Sequence, residues 1–220
     1  LVFEALRESN VIHAIESKLN ARAELILEAI DRTEGGLIYR MIRGVIADAV
    51  FAVEVLPTLT NWHALPITGD QPYDHLLDDG NGPVKVQVKL QRSTKGKPAI
   101  SSARSRKFRL PANMWTVETQ KTRGGKDENG DDTRPYRFGE FDILAVSMQP
   151  STGNWSTFMY TVERWLIPDK DDPSRIQKMQ AVSMNPNNHW TDNFEECVKW
   201  LRTKDSTTIS MVSEPPGLFG

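Results

Sequence analysis

Val84-Lys85-Val86-Gln87-Val88-Lys89-Leu90-Gln91 alternates apolar and polar residues without a break. Successive side chains of a strand point to opposite faces, so the pattern predicts a strand with Val84, Val86, Val88 and Leu90 in a core. Lys85, Gln87, Lys89 and Gln91 then share the other face. Upstream, Asp78-Asp79-Gly80-Asn81-Gly82-Pro83 is dense in turn formers and follows a second extended stretch, Tyr73-Asp74-His75-Leu76-Leu77. Residues 73–91 therefore predict a hairpin with a polar tip, and folding over that tip brings Asp74 beside Gln87 and Lys89.

Outward from the hairpin, residues 10–31 read as a helix, with Ile12, Ile15, Leu19, Ile26, Leu27 and Ile30 at helical spacing and Asn10 as N-cap. Gly35 and Gly36 interrupt it. A second helix is predicted from Leu37 to Val55, where Ile38, Ile42, Val45, Ile46, Ala49, Val50 and Val53 form one face and Pro57 stops it. Both helices are expected to be mostly core. Further strands are predicted at 62–67, 115–121, 141–148 and 158–167, with a tight return at 150–154 and a last helix near 193–202. Residues 93–107 and 124–134 read as polar loops, and the end of the chain as a tail. The order gives an α/β fold with a central mixed β-sheet flanked by helices. We expect one domain over 1–220, with an N-terminal helical region at 10–34, a core at about 36–167 and a C-terminal strand, helix and tail at 168–220.

A chain of 220 residues can bury about 70% of its unfolded surface, so it needs no covalent staples. Cys197 is the only cysteine, which excludes an internal disulfide and a cysteine-rich zinc site, and fits a reducing, cytoplasmic setting. No apolar run approaches the ~18–20 residues of a membrane span. The chain starts at Leu1 rather than Met, so its ends carry no reading of a leader. The net charge of −2 conceals an asymmetry: eleven Lys and Arg residues stand against one acid, Glu118, between Lys85 and Arg123. Such a block repels itself unless an anion is supplied, which points to a polyanion partner.

An acid, an oxygen donor and a lysine at one strand edge suit a hard divalent cation such as Mg²⁺, which prefers carboxylate, carbonyl and water oxygens. Asp74 supplies the charge, Gln87 an amide oxygen, and a backbone carbonyl after Gln87 a third donor. Lys89 can orient or deprotonate a water and neutralise an attacked phosphate. These residues, Gln71-Pro72-Tyr73-Asp74 and then Val86-Gln87-Val88-Lys89 after a long helix, resemble the PD-(D/E)XK nuclease superfamily, of which type II restriction endonucleases are members. The resemblance covers roughly 36–167. It implies a restriction-endonuclease-like core and Mg²⁺-dependent cleavage of phosphodiester bonds. Asp74 and position 87 become metal ligands and Lys89 the catalytic lysine. The family usually carries Glu or Asp where this chain has Gln87. A tolerated amide, an engineered change and lost activity remain open as explanations. An acid on the upstream helix often completes such sites; Glu34 is the first candidate and Glu28 the second. Glu118, Lys121 and Asp142 form a second rank, with Asp142 also readable as a structural acceptor.

The cations Lys85, Arg92, Lys95, Lys97, Arg104, Arg106, Lys107 and Arg109 are expected to contact double-stranded DNA, since phosphate neutralisation dominates duplex affinity. The amides of Asn185-Pro186-Asn187-Asn188-His189 suit a base or a plain loop. The four histidines have no metal-ligand spacing, and His75, next to Asp74, points to the opposite face. The expected activity is sequence-specific cleavage by a homodimer, because cutting two strands takes two sites. Another nuclease of the superfamily, a silent DNA-binding module, or a tryptophan-lined groove for a peptide or oligosaccharide are the alternatives.

Overall fold

The structure, a computed structural model, describes residues 14–33, 36–101, 108, 110–121, 124–126, 130 and 132–203. Asn10, Ile12, Glu34, Arg104, Arg106, Lys107 and Arg109 lie outside the described residues. The chain divides into two compact units, Leu1–Arg43 and Gly44–Gly220. The sequence sets no boundary there; the structure places it within a helix.

In the first unit the helix expected over 10–31 is two helices, α1 (Ala14–Leu19) and α2 (Ala23–Asp31). Asn20 breaks them, at φ 48°, a left-handed conformation that asparagine tolerates better than most residues. The Glu16 carboxylate then accepts from Ala23 N at 2.6 Å, satisfying one of the amides that open α2. No residue of α2 is buried, and Leu25 and Leu27 are exposed, so the expectation of a core helix fails here. A helical period shows that an apolar stripe exists but not that something covers it.

Helix α3 (Leu37–Val50) continues as a π-helical turn, Phe51–Val55, and a 3-10 turn, Leu56–Thr58, where Pro57 ends it as expected. Its buried row is Ala47, Phe51 and Val55, spaced by four, while Ile38, Val45, Ile46 and Val53 of the expected stripe are exposed. Phe51 is the anchor. Its ring meets Phe158 and Phe194 edge-on at 5.6 and 6.2 Å.

Among its described residues the second unit has nine short strands, β1 (His63–Leu65), β2 (His75–Asp78), β3 (Pro83–Leu90), β4 (Ser93–Thr94), β5 (Lys97–Pro98), β6 (Trp115–Glu118), β7 (Ile143–Ser147), β8 (Phe158–Val162) and β9 (Met179–Val182). Five form the central mixed sheet, in the order β1-β2-β3-β7-β8. Only β3 and β7 pair in parallel; the other neighbours are antiparallel. Helices accompany this sheet, as the α/β reading expects. Every residue of β7 and β8 is buried, which fits continuous apolar strands covered on both faces. Between β7 and β8 the expected tight return is a one-turn helix, α4 (Gln149–Thr152), closed by Gly153 at φ 74°. The last helix, α5 (Phe194–Arg202), is capped by Asn193, whose side chain accepts from Glu196 N at 3.1 Å.

Two pairings depart from the sequence reading. The stretch read as a polar loop from 93 contains the β4–β5 ribbon, and β6 pairs with β9, the strand expected within 168–220, for which the sequence reading names no partner. The polar face of β3 is also covered rather than open: Gln87 and Gln91 are 2% and 1% exposed. A buried amide needs partners, and that need shapes the site.

Candidate active site

The β2–β3 hairpin forms as the alternation predicts, with His75 opposite Val86 and Leu77 opposite Val84. Asp74 sits one residue before β2, and its N–H donates to Val86 O at 3.0 Å, which extends the pairing by one step. Its side chain crosses to the next strand. Carboxylate Oδ2 accepts from Val88 N at 2.8 Å and from the Gln87 amide, and the same amide donates to Val88 O at 3.1 Å. Among the described residues no donor reaches Oδ1 of Asp74.

Burial raises the Asp74 pKa, opposed by the Lys89 ammonium and the Val88 N–H, and reinforced by Asp48. Lys89 moves the opposite way: burial lowers its pKa, against the attraction of Asp74, Asp48 and Glu118. Lys89 Nζ donates to Tyr136 Oη at 3.1 Å. The structure thus brings Asp74, Gln87 and Lys89 into one environment. Gln91, next on the same face, is buried with no partner for its amide among the described residues.

Asp48 is the residue that sequence reasoning missed. It lies on α3 and accepts from, or pairs with, His75 Nε2 at 2.7 Å. The His75 ring lies tilted by 40° against Phe51, centroids 5.0 Å apart, on the core side, as its strand parity predicts. Asp48, on the upstream helix, acts electrostatically on both Asp74 and Lys89. Glu34 is outside the described residues, and Glu28 belongs to the first unit, in an exposed pair with Arg32 at 2.9 Å. The only hint in the sequence was Asp48 in an otherwise apolar run, Val45-Ile46-Ala47-Asp48-Ala49-Val50.

The second-rank residues make pairs of their own, although Glu118 also acts on Lys89 and Lys121 Nζ lies 5.4 Å from the centroid of the Tyr136 ring that Lys89 contacts. Glu118 pairs with Lys178 at 3.2 Å, and Lys121 with Glu140 at 2.6 Å. Asp142 accepts from Lys85 N at 2.7 Å beside the β3–β7 pairing, a structural acceptor as one reading held. Asn187 accepts from the N–H groups of His189 and Trp190, both at 2.9 Å, which makes its loop a self-closed turn rather than a set of free amides. Trp190, Trp165 and Trp62 are buried, which removes half of the six tryptophans from any aromatic groove.

Of the expected DNA contacts, Arg92, Lys95 and Lys97 are exposed, and Lys85 Nζ donates to Gly139 O at 3.1 Å. A cleft of about 390 Å³ lies beside Arg92 and Thr94 rather than at Asp74.

The Asp74 carboxylate, exposed to solvent, with an oxygen that no described donor satisfies and next to the buried Gln87 amide, fits a single hard cation. Among the described residues no group of three or more His, Cys, Asp or Glu side chains is placed to hold a metal. No described helix is long and apolar enough to cross a membrane. No protein-family model matches the chain, and no curated protein matches it. Among solved structures it is similar to a bacterial homing endonuclease, I-Ssp6803I, at 16% identity and a TM-score of 0.38, over 68% of this chain and 81% of that one.

Proposed function

We propose that this chain is a metal-dependent endonuclease of the PD-(D/E)XK type acting on double-stranded DNA, with restriction as its role. The observation that carries the reading is the convergence of Asp74, Gln87 and Lys89 on the β2–β3 hairpin, with Asp48 acting electrostatically on Asp74 and Lys89. Asp74 would hold Mg²⁺ through its carboxylate, with Gln87 and Asp48 as supporting donors. When bound, the ion supplies charge neutralisation at the phosphate and a more acidic water. Lys89, partly desolvated and held at Tyr136, places a positive charge where phosphate negative charge builds up. Arg92, Lys95 and Lys97, exposed just after the strand that carries Lys89, supply the positive charge that draws a duplex polyanion. A homodimer supplies the second site that double-strand cleavage requires.

One observation favours a second reading, a DNA-binding module without cleavage. The Gln87 amide donates to Asp74, so a hydrogen bond stands where the superfamily places a second ligand charge. Incubation of supercoiled plasmid with Mg²⁺ or EDTA separates the two. Discrete Mg²⁺-dependent fragments are expected, with a loss of at least about 10²-fold in Lys89→Met. Retention of plasmid without cutting under every metal tried establishes the second reading.

A further inference from the structure

The β4–β5 ribbon leaves the sheet directly after the strand that carries Gln87 and Lys89. Its tip is Lys95-Gly96, with φ of 52° and 73°. Two successive left-handed residues make the tight hairpin turn whose twist matches that of the strands, so the ribbon keeps its shape up to its end. Thr94 and Lys97 pair across it, and Ser93 pairs with Pro98. Strand parity puts Arg92 on the face of Thr94 and Lys97. All three are exposed, whereas Ser93 and Pro98 are half-buried. Among the described residues no ion pair engages Arg92, Lys95 or Lys97.

The base of the ribbon is stitched down. Arg92 N donates to Thr116 O at 2.8 Å, Ala99 N to Arg92 O at 2.9 Å, and Thr116 N to Ala99 O at 3.1 Å. Gln91 N donates to Ser147 O at 2.9 Å, which ties the same root to β7. A merely phosphate-seeking segment needs no such fixed geometry, because a point charge on a loose chain neutralises phosphate equally well.

We propose that the β4–β5 ribbon enters the major groove of duplex DNA and that its outer face, Arg92, Thr94 and Lys97, reads base edges there. The proposal takes its duplex substrate from the nuclease reading. Two paired strands about 5 Å apart fit a groove about 12 Å wide and not the minor groove, about 6 Å wide. The deep, narrow major groove of duplex RNA excludes the ribbon. Arg and Lys donate to guanine O6 and N7, and Thr offers a hydroxyl or a methyl contact, so the face selects guanine-containing steps.

The test selects binding sites from a random DNA duplex library in Ca²⁺, then replaces each guanine of the consensus by 7-deazaguanine, which removes only the N7 acceptor. At one or two positions the wild-type protein is expected to lose about 10-fold in affinity, and the Arg92→Ala/Lys97→Ala double variant to show no such loss. Equal sensitivity of wild type and variant, an unchanged consensus in the variant, or competition by duplex RNA as strong as by DNA overturns the proposal. These outcomes are independent of cutting. A chain that cleaves with Mg²⁺ but keeps its consensus without Arg92 and Lys97 loses the ribbon and keeps the nuclease. A chain that never cleaves but shows the 7-deazaguanine effect keeps the ribbon alone.

Discussion

Gln87 donates its side-chain amide to the carboxylate of Asp74 across the β2–β3 hairpin, at a position 2% exposed to solvent. An acid at 87 would set two carboxylates against each other in that burial, with one N–H fewer to hold them. The amide therefore stabilises the metal-free fold at the expense of ligand charge.

Gln87→Glu is accordingly expected to destabilise the protein in EDTA by about 1–3 kcal/mol. For a unit of this size that is a fall in Tm of roughly 2–10 °C. Mg²⁺ should restore the loss in the variant more than it stabilises the wild type, because binding to the folded state alone stabilises by mass action. Thermal melts with and without Mg²⁺ check this. Equal melting of both proteins under both conditions would remove Asp74 and position 87 as a shared cation site.

Asp48, on α3, is held by His75 and acts electrostatically on Asp74 and Lys89. Asp48→Asn is expected to raise the Mg²⁺ concentration for half-maximal cleavage by about 10-fold or more, the scale seen when a group supporting a metal ligand is removed. Glu28→Gln, on α2, should leave it unchanged. A Mg²⁺ titration of plasmid cleavage distinguishes them, and identical curves for Asp48→Asn and wild type would return Asp48 to a purely structural pair with His75.

Glu163 gives a pH signature unrelated to cleavage. Burial raises its pKa to about 7, opposed by the Gly139 N–H at 2.5 Å and reinforced by Asp142. The folded chain then holds a proton that the unfolded chain releases near 4.5, so stability falls as pH rises from about 4.5 to about 7 and levels off above. The penalty is on the order of 3 kcal/mol at most. Glu163→Gln keeps an acceptor for Gly139 and should flatten the stability curve between pH 5 and 7. Urea midpoints across that range supply the measurement, and parallel curves for the two proteins would contradict the buried-acid account.

The short-range part of the fold was legible because its signals are periodic. Alternation over 84–91 and the turn-rich tip at 78–83 set the strand, the hairpin and its register, and Asp74 followed from that register alone. Pro57 ended its helix for an equally local reason. Tertiary structure decided what periodicity leaves open. It chose Ala47, Phe51 and Val55 as the buried row of α3, and it set Asp48 against His75. It paired β6 with β9 across some sixty residues and turned a polar stretch into the β4–β5 ribbon. It also covered the polar face of β3, so that Gln87 had to spend its amide on Asp74. The sequence by itself determines which residues share a strand face, since that depends on neighbours in the chain. Which faces are covered, and which distant residues meet, depends on burial against partners far along the chain, and only the folded structure decides it.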